Sequence, residues 1–222
     1  MKKHITERNN FAYLTIALLV FLLLASVLHQ FMESHLGGRL LEGAMVLTLA
    51  AGVWSVRTAR YVFRTGLGLT VGVLLASLAG YFLESRGLSV VHIVLLLGFF
   101  VLATWAAVKQ VLFSGRVDGN AIVGAICVYL LLGMIWSTLY LLVEKAAPGA
   151  FKGLAQTGGT GYFMELVYFS FVSLTTMGYG DITPVSPLVR YLAFMEGIVG
   201  QFYIAILVAS LVGVRVSNWQ QK

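Results

Sequence analysis

Apolar residues run along this chain in long unbroken blocks, with polar and charged positions gathered between them. Six blocks, 11–28, 40–56, 67–83, 90–108, 121–143 and 188–214, are long enough to cross a bilayer as helices, which takes about 20 residues each. A seventh run, 162–175, would make a helix of only about 21 Å, short of a hydrocarbon core of about 30 Å. It follows the glycine-rich stretch 158–161 and ends at Thr175-Thr176-Met177-Gly178-Tyr179-Gly180-Asp181. This predicts a short helix that enters the membrane, followed by a non-helical return. Bare backbone at that depth is tolerated only where it is buried in protein or lines a watery cavity.

Composition narrows the class. Hydrophobic residues make up 59% of the chain and charged residues 11%, with a net charge of +6. A soluble domain carries about 25% charged residues, so this chain belongs to the integral-membrane class. The expected fold is all-α and membrane-embedded, with six transmembrane helices plus one re-entrant helix. Lysines and arginines stand singly or in small groups between the blocks, the habit of bilayer flanks and not of a nucleic-acid surface. With the N-terminus cytoplasmic, ten of them fall inside (Lys2, Lys3, Arg8, Arg57, Arg60, Arg64, Lys109, Arg116, Arg215, Lys222). Five fall outside (Arg39, Arg86, Lys145, Lys152, Arg190). The excess predicts both termini in the cytoplasm of a multi-pass cell-membrane protein. The first block follows Lys2 and Lys3 as a secretory leader would, but it lacks a small-x-small site before Gln30, so it is expected to stay. Cys127 is the single cysteine, which excludes an intrachain disulfide, and no Cys/His spacing suggests zinc. No nucleotide-binding or catalytic constellation appears, so neither an enzyme nor an organic cofactor is expected.

The glycine run carries the chemistry. Successive residues of an ordinary strand point in opposite directions. Lining a pore with carbonyl oxygens needs consecutive carbonyls on one axis, hence a backbone that alternates between right- and left-handed regions. Glycine enters the left-handed region at little cost. Gly178 and Gly180 are expected to supply it, with Thr176, Met177 and Tyr179 between and before them. Four or five such residues rise about 12–15 Å, enough for a short stack of oxygen rings. One chain gives one wall, so a closed pore requires several copies.

Thr175 to Asp181 resembles the selectivity-filter signature of potassium channels. The resemblance covers roughly 121–216, the two-helix pore module. It implies a homotetramer in the lipid bilayer that conducts K+ passively. Backbone oxygens of Thr176, Met177, Gly178 and Tyr179, with the Thr176 hydroxyl, would bind K+, and Gly180 would shape the outer mouth. Tyr179 differs from the acid of non-selective relatives. Met177 departs from the commoner valine, and its side chain is expected to pack behind the filter against the short helix. Thr175 and Asp181 flank the filter, with Tyr168 expected to donate to Asp181. Val172 stands where some relatives carry a glutamate. Such a protein divides into a four-helix domain, 1–115, and a pore domain, 116–222. A non-conducting membrane scaffold or sensor, or a subunit of a potassium uptake system, are the alternatives.

The last helix adds candidates. Counting from the filter, Gly200 falls where similar channels have a hinge glycine and Gly197 one turn earlier, with close helix packing as the alternative, and the same count puts Gln201, Ile204, Val208 and Val212 toward an inner cavity. Glu196 is an ionisable group inside a span, a functional candidate that would support the filter or bias cation entry; the alternative is a protonated or backbone-bonded carboxyl used for packing. The fourth block has His92 and Lys109 near its ends and no arginine row, so voltage sensing by a charged fourth helix is not expected. Arg57, Arg60 and Arg64 are assigned to the inner end of the second helix as headgroup anchors. His4, His29, His35 and His92 are taken as interfacial, and Trp219 as an interface anchor. Few residues follow Val216, so regulation is expected from within the membrane part or from a separate subunit or ligand.

Overall fold

A computed structural model describes residues 10–31, 35–55, 60–82, 85–113, 119–154 and 160–220. Side-chain surroundings are described for residues 11–27, 43–53, 61–80, 82, 85–111, 120–154 and 162–210. Among these residues the chain forms seven helices: α1 (Asn10–Phe31), α2 (His35–Ser55), α3 (Arg60–Phe82), α4 (Arg86–Phe113), α5 (Gly119–Ala146), α6 (Thr160–Leu174) and α7 (Pro187–Gln220). Two antiparallel two-residue strands, β1 (Phe151–Lys152) and β2 (Thr183–Pro184), are the only sheet among the described residues.

Within the described residues, four stretches are long and apolar enough to span a membrane: Tyr61–Gly80, Arg86–Val111, Asn120–Ala146 and Pro187–Ser210. Phe11–Val27, Gly43–Val53 and Tyr162–Leu174 form shorter apolar helices. The chain is therefore a multi-pass, helical membrane protein. At 15 residues α6 is about 22 Å long, too short to span. Hydroxyls inside the apolar helices bond to their own helix: Thr48, Thr70, Thr104 and Thr138 each donate to a carbonyl four residues back.

Two assignments made from the sequence shift. Arg60 and Arg64 belong to the first turns of α3, because the helix starts seven residues before the apolar block does. Arg57 lies outside the described residues, as do Lys2, Lys3, Arg8, Arg116 and Lys222. Helix α4 also starts earlier than its block and takes in Arg86 as its first residue. Polar first turns carry no hydropathy signal, so block edges understate helices.

One buried cluster joins the first four helices to α5 and α6. Phe11, Leu14, Leu18 and Phe21 of α1 meet Phe99, Phe100 and Ala103 of α4, Val128, Leu131 and Met134 of α5, and Phe163 and Val167 of α6. Glycines set the approach: a Cβ on Gly124 would press on Val111 and Phe11, and one on Gly133 would enter the Phe171 ring. A second cluster surrounds the outer half of α6. There Tyr140, Phe151 and Phe169 pack edge to face, with centroids 5.1–5.5 Å apart.

Candidate functional site

The glycine run leaves α6 through a hydrogen-bonded turn. Thr176 N–H donates to the Ser173 carbonyl and Met177 N–H to the Val172 carbonyl, both at 2.9 Å. These are the two bonds of a Schellman cap, whose left-handed residue is usually glycine. Here it is Thr176, with φ 59°. Gly178 (57°) and Gly180 (82°) follow, so left-handed backbone recurs at every second residue. The expectation gave it to the two glycines alone. Thr176 corrects that, because the helix cap demands a left-handed residue just before them. For a β-branched residue this is strained backbone. The Thr175 hydroxyl donates back to the Phe171 carbonyl at 2.6 Å.

Helix α7 holds the inner end of the run. Gln201 Nε2 donates to the Thr176 hydroxyl oxygen at 2.9 Å. A Cβ on Gly200 would collide with the Leu174 carbonyl, which also accepts from the Tyr129 hydroxyl at 3.2 Å. A Cβ on Gly197 would find only ordinary contacts, 3.7 Å from the Ser173 oxygen and 3.9 Å from Thr176 Cγ2. Close packing thus accounts for Gly200, while Gly197 has no such neighbour. Ile204 and Val208 are exposed within the chain. The Val212 side chain lies outside the described residues.

The Asp181 end is pinned from three sides. Tyr168 donates to Asp181 Oδ2 at 2.7 Å, the pair that the resemblance implied. That bond holds the Asp181 carboxyl below its usual range. Strand β1 pairs with β2, with Phe151 opposite Pro184 and Lys152 opposite Thr183. The Ala150 carbonyl accepts from Val185 and Ser186, and left-handed Gly153 (φ 93°) packs on the Asp181 carbonyl. Glu144, at the end of α5, accepts from the Gly149 and Ala150 N–H groups at 2.6 and 2.9 Å and fixes the start of this loop.

Glu196 is fully buried behind α6, bonded to Tyr140 and Ser170. Met177 is not packed against α6 as expected: it is 57% exposed, and Tyr179 is 66% exposed. The turn at Thr176 carries the chain off the helix end, away from α6. The whole stretch Thr175 to Asp181 is exposed within one chain while both of its ends are anchored. Five supporting residues escaped the sequence: Tyr129, Tyr140, Glu144, Gly153 and Ser170. A polar tip in an apolar helix is their signal, except for Gly153, whose role depends on a contact across the fold.

Residues 124–216 match a family model described as "Ion channel". A protein of Oryza sativa subsp. japonica named Two pore potassium channel c is 36% identical over 67 residues, 30% of this chain. Over residues 124–216 the chain is similar to ion channels, and over 67 residues to a potassium channel. The match spans 14% of the rice protein's length. No solved structure matches the chain. The matched segment contains the pinned run, the buried Glu196 and the part of α7 that bonds to Thr176.

Proposed function

We propose that this ion-channel segment forms a K+-selective pore in a homotetramer, with Thr176, Met177, Gly178 and Tyr179 offering backbone oxygens as K+ ligands. The observation that carries the reading is the left-handed backbone at Thr176, Gly178 and Gly180. That alternation is what turns consecutive carbonyls toward one side. The negative end of the α6 dipole lies next to the run and favours a cation there. Tetramerisation would cover what one chain leaves open: the filter run itself and the Tyr191, Phe194, Ile198 and Phe202 side of α7. The six longer helices would all span, with both termini in the cytoplasm of a cell membrane. Helices α1–α4 would form a domain that flanks the pore without supplying gating charge.

Planar-bilayer recording of the purified protein under opposed K+ and Na+ gradients tests this. The expected result is a current that reverses near the K+ equilibrium potential. A folded assembly that passes no current at any voltage or pH would instead support a non-conducting scaffold. Reversal near zero would reject selectivity.

A further inference from the structure

Three oxygen–oxygen contacts behind α6 form a chain across three helices. The Tyr140 hydroxyl of α5 lies 2.5 Å from Glu196 Oε2 of α7. The Ser170 hydroxyl of α6 lies 2.6 Å from Glu196 Oε1 and 2.8 Å from the Gly133 carbonyl of α5. Glu196 and Ser170 are fully buried, and no buried side-chain polar atom lacks a partner among the described residues.

Protons can be counted in this chain. A carbonyl oxygen only accepts, so the Ser170 contact with Gly133 uses the single Ser170 proton. The Tyr140 proton serves Oε2. The remaining contact, between Ser170 Oγ and Glu196 Oε1, then needs a proton of its own. A carboxylate has none, and two acceptors at that distance repel each other. A carboxylic acid supplies it: Glu196 donates to Ser170, Ser170 to Gly133, and Tyr140 to Glu196. Among the described residues no basic side chain bonds to Glu196. Its polar neighbours are Ser170 from α6 and Tyr140 from α5, with Tyr129 of α5 the other titratable group close enough to sense it. A lone carboxylate would be costly in such a place, and a neutral acid is not.

We propose that Glu196 works as a neutral carboxylic acid, a positioning residue that ties α7 and α5 to α6 and so fixes the helix from which the filter run emerges. The assignment rests on the pore reading for its consequence but not for its chemistry. Tyr140 is well placed for the task, because the edge-to-face rings of Phe151 and Phe169 fix its own ring. The tie is present while the acid keeps its proton and is lost as pH rises far enough to remove it.

Two readouts on the full-length protein test this separately. Infrared difference spectroscopy between neutral and alkaline pH should show a protonated-carboxyl stretch at neutral pH that disappears in Glu196→Gln. A carboxylate signature from Glu196 at neutral pH would overturn the assignment whether or not the protein conducts. In bilayers with symmetric pH, wild-type open probability should fall several-fold on alkalinisation. Glu196→Gln keeps a donor and an acceptor and should flatten that profile. Glu196→Ala and Ser170→Ala should reduce open probability at neutral pH. A wild-type profile already flat, or one that Glu196→Gln leaves unchanged, would overturn the positioning role. If no variant conducts, the pore reading fails while the infrared result stands by itself.

Discussion

Asp181 is exposed, yet its oxygen is held by the Tyr168 hydroxyl, and the bond pulls its titration below the usual carboxylate range. The bonded, ionised form is therefore present above that range and is lost only as pH falls through the lowered value. External acidification should weaken the outer anchor of the filter, seen as faster loss of current. Tyr168→Phe should move the midpoint of this effect up toward an ordinary carboxylate. A midpoint that stays where it was would detach Asp181 from Tyr168. Gly200 makes a second prediction. Its missing Cβ is the room taken by the Leu174 carbonyl, so Gly200→Ala should overpack the filter base by about 1–3 kcal/mol. Gly197→Ala, with ordinary contacts, should cost nothing or stabilise the helix slightly. Thermal midpoints of the two purified variants check this, and equal midpoints would reject the distinction. The Tyr168–Asp181 pair was legible through the resemblance to potassium channels. Thr176 was not, because its left-handed backbone is imposed by the helix cap and not by its own side chain.

At the scale of elements, hydropathy marks the centres of helices well and their polar ends poorly. Helices α3 and α4 begin with arginines that no apolar count includes. Helix α7 announces its own start: Pro187 is its first residue, and the Ser186 hydroxyl caps it by accepting from Val189 N–H at 3.3 Å. The loop from 147 to 153 was legible only as a loop. Its ordering comes from Glu144 below it and from β2 beyond the filter, contacts that join residues far apart in the chain. This loop clamps the run at Asp181, and Gly153 is its tightest point. Gly153→Ala would need both a left-handed alanine and displacement of the Asp181 carbonyl. It should cost more than about 1 kcal/mol and lower the K+/Na+ permeability ratio. Selectivity and thermal midpoint both at wild-type values would show that the loop does not support the filter.

Across the whole molecule, the first four helices share a core with α5 and α6 of the same chain. Phe11 and Leu14 of α1 and Phe99 and Phe100 of α4 bury against α5. On the proposed reading such a domain would lean on the pore as a fixed wall, and its charge placement fits that. Arg86 is the first residue of α4, and Lys109 lies near its other end, 5.1 Å from the Trp105 ring centroid. Between them the helix holds no Lys, Arg, Asp or Glu. One elementary charge crossing the membrane field is worth about 2.3 kcal/mol per 100 mV, roughly a fiftyfold change in an equilibrium. With both cations held at the ends of the helix, α4 has no charge to carry across the core. Open probability in symmetric K+ should therefore change by less than about fivefold over 100 mV, far below the effect of one full charge. Lys109→Gln should leave that slope unaltered, even where it weakens anchoring beside Trp105. A steep rise with voltage that Lys109→Gln abolishes would show that α4 moves through the field after all, and would replace the fixed wall with a sensor.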